Sequence, residues 1–529
     1  MPESDKETAE RTKGPRRTGR RTGGRAGNPR RAKTQAIKQL PWSLPRNSDR
    51  PTEPLDEEGV WAIHDGAMRV LEQIGIEFLN EDSKRILKQA GCRVDPNSDN
   101  VRMDRELVME HVAKAPSQFD ITPRNPERAV TIGGDRMVFV NVSSPPNYSN
   151  LDRGRRVGDH SSYQDLIKLS QYFNCIHMVG GYPVEPVDIH ASIRHLDCLY
   201  DKLTLSDKPV HAYSLGKERV QDVMEMVRIA AGLTQDEFDA APRMYTNINS
   251  SSPLKHDFPM LDGAMRLARH GQPVIVTPFT LSGAMAPVTL VGAVMQQTAE
   301  ALAAITLLEI INPGTPVVYG SFTSNVDMKS GSPAFGTPEY MRATQLSGQM
   351  ARFYNLPMRS SNACAANCPD SQSAWESAFS LWACVSARTN VVYHAAGWLE
   401  GGLCASYEKF VMDCETLQQM ISYMQTMTVT EAELAFDAIE EVGSTGHFFG
   451  TAHTLERYET AFYSPFMSDW SNFENWEERG AIQSPERANK IWKQILADFE
   501  PPPMDQAIRE ELEAFVAKRK AQGGAPTDF

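Results

Sequence analysis

VIVTPF (274–279), an apolar stretch over 286–311, NPG (312–314) and VVYGSF (317–322) follow one another in the middle of the 529-residue chain. The two short runs are rich in β-branched and aromatic residues, and the stretch between them is long enough for a helix that stops at Asn312, Pro313 and Gly314. A strand, a helix and a second strand in that order make a parallel pair covered by its own crossover. Seven further short apolar or β-rich runs repeat the habit, so that the eight are 137–142, 176–180, 210–214, 244–249, 274–279, 317–322, 358–361 and 391–395. Continuous apolar strands alternating with helices predict an α/β fold, and eight of them predict a closed TIM (β/α)8 barrel. An open doubly wound sheet is the alternative, and no GxGxxG follows a first strand to support it. The first run has a second reading, as one arm of a hairpin with 155–157.

Around this core the sequence divides into four segments. Residues 1–50 hold 14 Lys+Arg against 5 Asp+Glu, which leaves 40 against 62 in the remainder. A +9 tail therefore precedes a −22 body, and the tail's Gly-, Thr- and Pro-rich composition predicts disorder. No aromatic residue interleaves its arginines, so nucleic-acid binding is not expected. Residues 51–130 show helical periodicity at Val60, Ile63, Ala67, Val70, Leu71 and Ile74 and predict a helical N-terminal cap. The barrel is expected over 131–465, and a C-terminal helical extension over 466–529.

A polar N-terminus without an apolar core and eight cysteines set mostly in apolar stretches predict a reducing, cytoplasmic setting. The apolar stretch over 286–311 is interrupted by Gln296, Gln297, Glu300 and Glu309, so it is expected as a buried helix and no membrane partner is predicted.

In a barrel the chemistry lies in the loops that follow the strands. Those loops carry the aromatic residues Phe279, Phe322, Tyr393 and Trp398, and Phe449 lies in a segment (443–465) expected to fold over the mouth. Aromatic faces converging on one mouth suit a quaternary ammonium ion, which the ring quadrupole attracts. Asp327, Glu339, Asp370 and Glu400 are candidates to supplement the field around such a cation, with helix capping as their other reading. The glycines of GSPAFG (331–336) suit the close approach of a flat ligand better than a phosphate, because Pro333 lacks an amide donor. Cys364 and Cys368 in CAANC, with His394 on the next run, are weak zinc candidates without a second thiol pair, so no metal site is expected. His447 and His453 are six residues apart, which fits hydrogen bonding better than metal ligation.

Three long motifs carry a family resemblance: NVDMKSGSPAFGTPEY (325–340), SYEKFVMDCE (406–415) and GHFFGTAHTLERYETAFYSP (446–465), with CPDSQ (368–372) in support. Together they resemble the trimethylamine methyltransferase family of corrinoid-dependent methyltransferases. The resemblance implies a barrel that hands a methyl group from an amine to cob(I)alamin carried by a separate small corrinoid protein, with no cofactor bound permanently. It implies His447 and His453 as catalytic residues, and Gly331, Ser332, Phe335 and Gly336 as corrinoid-facing. Phe279, Phe322, Tyr393, Trp398 and Phe449 then bind the substrate. Members that act on trimethylamine carry pyrrolysine just before a PDxQ motif, whereas 362–368 here contains only standard residues. The resemblance thus points to a quaternary, betaine-type amine, glycine betaine first and proline betaine or carnitine next. A homo-oligomer is expected. The competing readings are a non-catalytic betaine-binding protein and a tertiary-amine methyltransferase, while an aldolase is disfavoured because no strand run ends in Lys.

Overall fold

Alternation along each strand decides which residues meet in the core. In the computed structural model, which describes residues 37–527, a six-stranded parallel sheet runs in the order Val138–Phe139, Val391–Tyr393, Met358–Ser361, Val317–Gly320, Val274–Val276, Thr246–Ile248. Its register pairs Phe139 with Val392, Ser361 with Tyr393, Tyr319 with Met358, and Val274 with both Val317 and Thr246. The first expected run therefore belongs to this sheet. The 155–157 run pairs instead with Asn147–Asn150 as an antiparallel hairpin. The 176–180 and 210–214 runs are tied to their neighbours by isolated parallel bridges, Val140 to Met178, Val179 to Val210, and His211 to Tyr245.

The two faces of the strands feed two separate cores, as a side-chain period of two requires. Val138, Val140, Met178, Tyr245, Ile275, Val318, Val391 and Tyr393 pack together on one side. Phe139, Val274, Val276, Val317, Tyr319 and Val392 point to the other, against the helices. The central helix, Leu290–Ile311, is apolar nearly all round, and by length and hydropathy it would reach across a membrane. Its polar residues are instead committed inside the protein: Gln297 donates to Tyr319 (3.0 Å) and Ser347 (3.0 Å), and Glu300 and Glu309 are fully buried.

Two expectations change here. The segment 51–130 contains the helices Glu57–Arg69, Glu81–Gln89 and Arg105–Val112, but also small sheets. The hairpin Gln118–Ile121 with Val130–Gly133 sends Ile121, Val130 and Ile132 into the inner core. Its strands are short and half polar, so helical periodicity upstream hid them. The arginine-rich residues 1–36 of the expected tail lie outside the described residues, while 37–50 is packed. Ile37 and Asn47 are buried, the Asn47 amide donates to the Val385 carbonyl (2.6 Å), and Trp42 lies edge-on to His177 at 6.1 Å. At the other end, the helices Ser484–Asp498 and Gln506–Ala521 are anchored by polar contacts. Trp492 and Asn489 both donate to Glu408 (2.9 Å each), and Arg519 pairs with Asp222.

Candidate functional site

The loops after the strands enclose a cavity of about 430 Å3 whose wall is drawn from 143–144, 181, 211–215, 247–250, 279–285, 322, 359 and 393–402. Rings of Tyr213, Phe279, Phe322, Tyr393 and Trp398 form much of it. Tyr213 is held by its hydroxyl, which accepts from the Tyr182 N–H at 3.1 Å and lies 3.3 Å from the Ser144 hydroxyl. Trp398 lies over Gly402, whose backbone is at φ +102°; a Cβ there would sit 2.6 Å from the indole. Only glycine lets the chain pass so close in that conformation.

The floor carries a residue that the aromatic pattern did not announce. Arg359 lies in the strand Met358–Ser361, 3% exposed, with its guanidinium 4.8 Å from the Tyr393 ring centre and 5.2 Å from that of Phe322. One terminal nitrogen donates to the Ser321 carbonyl (3.2 Å), and Nε has no partner among the described residues. Burial lowers its pKa to about 10, and none of the groups acting on its charge is a carboxylate. It is therefore a cation at neutral pH. Among the described residues no Asp or Glu lines the cavity, and the Glu300 carboxylate lies behind its wall on the Ser250 hydroxyl.

Two histidines share this wall, and both are neutral. Burial, and then the charge of Lys202, holds His211 well below the usual range; burial, and then Arg359, does the same to His394. His211 Nε2 accepts the Asn247 N–H at 3.1 Å, which assigns its proton to Nδ1. That Nδ1 has no partner among the described residues, and neither has the Trp398 indole N–H. His394 bonds Ser361 through Nδ1 (3.1 Å), and its ring centre lies 3.9 Å from that of Trp398.

Phe279, Phe322, Tyr393 and Trp398 line this one cavity, but two of them differ in what they offer. Arg359 already lies over the Phe322 and Tyr393 rings, and Phe335 stacks on Phe322 at 5.4 Å. Among the described residues no cation lies over the Phe279 or Trp398 ring, whereas Lys202 lies over Tyr213 at 6.0 Å and Tyr182 packs on it at 4.3 Å. Phe449, His447 and His453 do not line the cavity: Phe449 is 82% exposed, His447 is exposed, and His453 is half-buried in the short helix Ala452–Arg457. Gly331 and Ser332 are exposed at the tip of the hairpin between Ser324–Val326 and Pro333–Ala334. Phe335, expected to face a corrinoid, is buried in the aromatic cluster, and Gly336 packs on Glu376.

None of the four acidic candidates lines the cavity, and Glu339 is exposed in the first turn of the helix Pro338–Phe353. Asp370 caps the helix Ser371–Ala387, Asp327 accepts from Ser330, and Glu400 pairs with Arg155 at 3.0 Å. Cys364 donates to Glu376 (3.2 Å) while Cys368 is exposed, and no group of three His, Cys, Asp or Glu among the described residues is placed to hold a metal ion. The residues missed were Arg359, His211 and Tyr213. For Arg359 a signal existed: MRSS (358–361) places a permanent charge inside a strand run, where a charge is costly unless something pairs with it.

The wall offers rings, neutral polar groups, N–H donors and one fixed cation, and its polar contacts run into the scaffold, with Ser250 on the buried Glu300 carboxylate and His394 on Ser361. Comparison with known proteins gives this arrangement its setting. The family model described as trimethylamine methyltransferase (MTTB) matches residues 20–524. A glycine betaine methyltransferase from Desulfitobacterium hafniense is 38% identical over 89% of this chain and 98% of its own. A trimethylamine methyltransferase from the same species is 28% identical over 88% of this chain and 94% of its own. A proline betaine:corrinoid methyltransferase from Eubacterium limosum is 27% identical over 86% and 95%.

Proposed function

The chain belongs to the trimethylamine methyltransferase family, and from that premise we propose that it demethylates a quaternary, betaine-type amine, glycine betaine first, passing the methyl group to the cob(I) corrinoid of a separate small protein. The observation that carries this reading is the cavity wall, where the rings of Phe279 and Trp398 stand together with the buried guanidinium of Arg359. Such a site suits a reaction whose attacking atom comes from a second substrate. The reduced corrinoid supplies it, as a nucleophile with an electron pair for the methyl carbon.

The residues of this chain then have two tasks. They fix the ammonium group so that one methyl lies in line with the acceptor, and they exclude water from it. As the carbon–nitrogen bond breaks, its electrons stay on nitrogen, and the product leaves as a neutral tertiary amine. No proton has to be delivered to the leaving group. Neutral His211 and His394 suit that requirement, since neither competes with the substrate as a cation.

The eight strand runs act as a closed barrel in this reading, which the parallel bridges at Met178, Val210 and His211 support. The exposed hairpin tip at Gly331 and Ser332 and the exposed residues His447 and Phe449, with His453 half-buried beside them, fit contact with the acceptor protein better than contact with the methyl group. Seven of the eight free cysteines are buried, in keeping with a cytoplasmic protein.

The test supplies the chain with a cob(I) corrinoid protein and, in turn, glycine betaine, proline betaine, carnitine and trimethylamine. Loss of the cob(I) absorbance with glycine betaine is expected. If trimethylamine alone drives the change, the substrate assignment is wrong; if no amine does with a competent partner, the acceptor assignment fails.

A further inference from the structure

We infer that Arg359 is the specificity-determining residue of this cavity, binding the carboxylate of the substrate so that the enzyme takes zwitterionic quaternary amines and turns away those without an anionic end. The inference rests on the quaternary-amine reading above and names the other half of the molecule that the site recognises.

The argument starts from a charge without a partner. A guanidinium taken out of water is costly unless an anion and its hydrogen bonds replace the solvent. Arg359 is 3% exposed, donates to one carbonyl, and is not paired with a carboxylate among the described residues. The rings of Phe322 and Tyr393 lie 5.2 and 4.8 Å from it, and the planar fork of a guanidinium is the geometry that suits a carboxylate.

The other orphaned groups point the same way. Arg359 Nε, His211 Nδ1, Trp398 Nε1 and the Tyr393 hydroxyl all belong to residues of this one wall, the first three are N–H donors and the fourth can donate, and none has a partner among the described residues. A trimethylammonium group has no acceptor to give them. A carboxylate has two oxygens, each with two lone pairs.

Charge balance separates the candidate ligands further. Among the described residues no Asp or Glu lines the wall, and the Glu300 carboxylate behind it is committed to Ser250, Ser252, Leu254 and Gln296, so a bare cation entering the cavity meets the charge of Arg359 without a carboxylate paired to it. A betaine brings its own neutralising group. Its carboxylate takes the arginine, while its ammonium end is left to the rings of Phe279 and Trp398, whose faces Arg359 does not occupy.

Calorimetric binding to the full chain tests this without any turnover. Glycine betaine, choline and tetramethylammonium share the quaternary nitrogen, and the first alone carries a carboxylate. The wild-type protein is expected to bind glycine betaine about tenfold or more tighter than choline, as a buried charge-assisted hydrogen bond warrants. In Arg359→Met that preference should vanish, with choline binding unchanged or tighter. Arg359→Lys keeps the charge without the fork and should retain part of the preference, and it guards against a Met variant that fails to fold. With the corrinoid partner present, Arg359→Lys should raise KM for glycine betaine more than it lowers kcat. Equal affinity of the wild type for choline and glycine betaine would overturn carboxylate recognition while leaving the quaternary-amine reading standing. An unchanged preference in a folded variant would remove Arg359 from the role. Binding of none of the three would take down the quaternary-amine reading itself.

Discussion

Glu300 holds one wall of the cavity in place, and replacing it should separate loss of a hydrogen-bond hub from loss of charge. It lies in the helix Leu290–Ile311, fully buried, and its carboxylate accepts from four donors: the hydroxyls of Ser250 and Ser252, the Leu254 N–H (2.8 Å) and the Gln296 amide (2.8 Å). Three of these belong to the loop that brings Asn249 and Ser250 to the cavity. In Glu300→Ala the two serines, 3.2 Å apart, can turn to each other, but the Leu254 N–H has no other acceptor and the Gln296 amide keeps only Met285. Two bonds to a charged group without replacement, at about 1.5–3 kcal/mol each, put the loss near 3 kcal/mol once relief of the carboxylate's own desolvation is allowed for. Glu300→Gln is different. Its carbonyl can still serve Leu254 and Gln296 while its NH2 donates to the serine oxygens, so it should lose about 1 kcal/mol. Urea unfolding measures both, and glycine betaine binding should weaken in the Ala variant and persist in the Gln variant. An Ala variant within about 1 kcal/mol of wild type, or a Gln variant as damaged as Ala, would refute the hub.

Two further outcomes follow from buried groups and packed termini. Glu309 has one oxygen on the Gly314 N–H (2.7 Å) and the other without a partner among the described residues, and burial raises its pKa to about 7. Because the unfolded chain releases this proton near 4.5 and the folded chain near 7, stability from this group falls as pH rises through that window. Glu309→Gln should therefore be more stable than wild type by about 1–3 kcal/mol at pH 8 and similar to it at pH 4.5, as chemical denaturation at both pH values would check. A chain beginning at Ile37 should unfold at the midpoint of the full chain, whereas one beginning at Pro51 should unfold earlier, because it strips the Ser43 carbonyl from His177 (2.9 Å) and the Asn47 amide from Val385. Equal midpoints for the two truncations would show that 37–50 contributes nothing.

The order of strands and helices was legible in the sequence because its signals are local. VIVTPF, the Asn312-Pro313-Gly314 stop and VVYGSF each report their own conformation to anyone counting periods and breakers. Family membership was legible for a similar reason, since three long motifs sit intact along the chain. The ring residues Phe279, Phe322, Tyr393 and Trp398 could be placed at strand ends, and so in one cavity, from topology alone.

What each ring faces was decided only by the tertiary structure. Phe322 and Tyr393 are brought against Arg359 by strands 30 to 40 residues apart in sequence, and nothing local says that the guanidinium covers their faces. The same holds for the segment 37–50, whose Gly- and Arg-rich upstream neighbours masked a stretch that finds its partners at His177 and Val385. It holds in reverse for His447 and Phe449, conspicuous in sequence yet outside the cavity. A residue's periodicity records which side of its own element it occupies; whether a buried charge has a counterion depends on every element that reaches the same point in space. For Arg359 no element of the described chain brings one, and that vacancy in the charge balance, invisible along the sequence, is what gives the site its preference for a ligand with an anionic end.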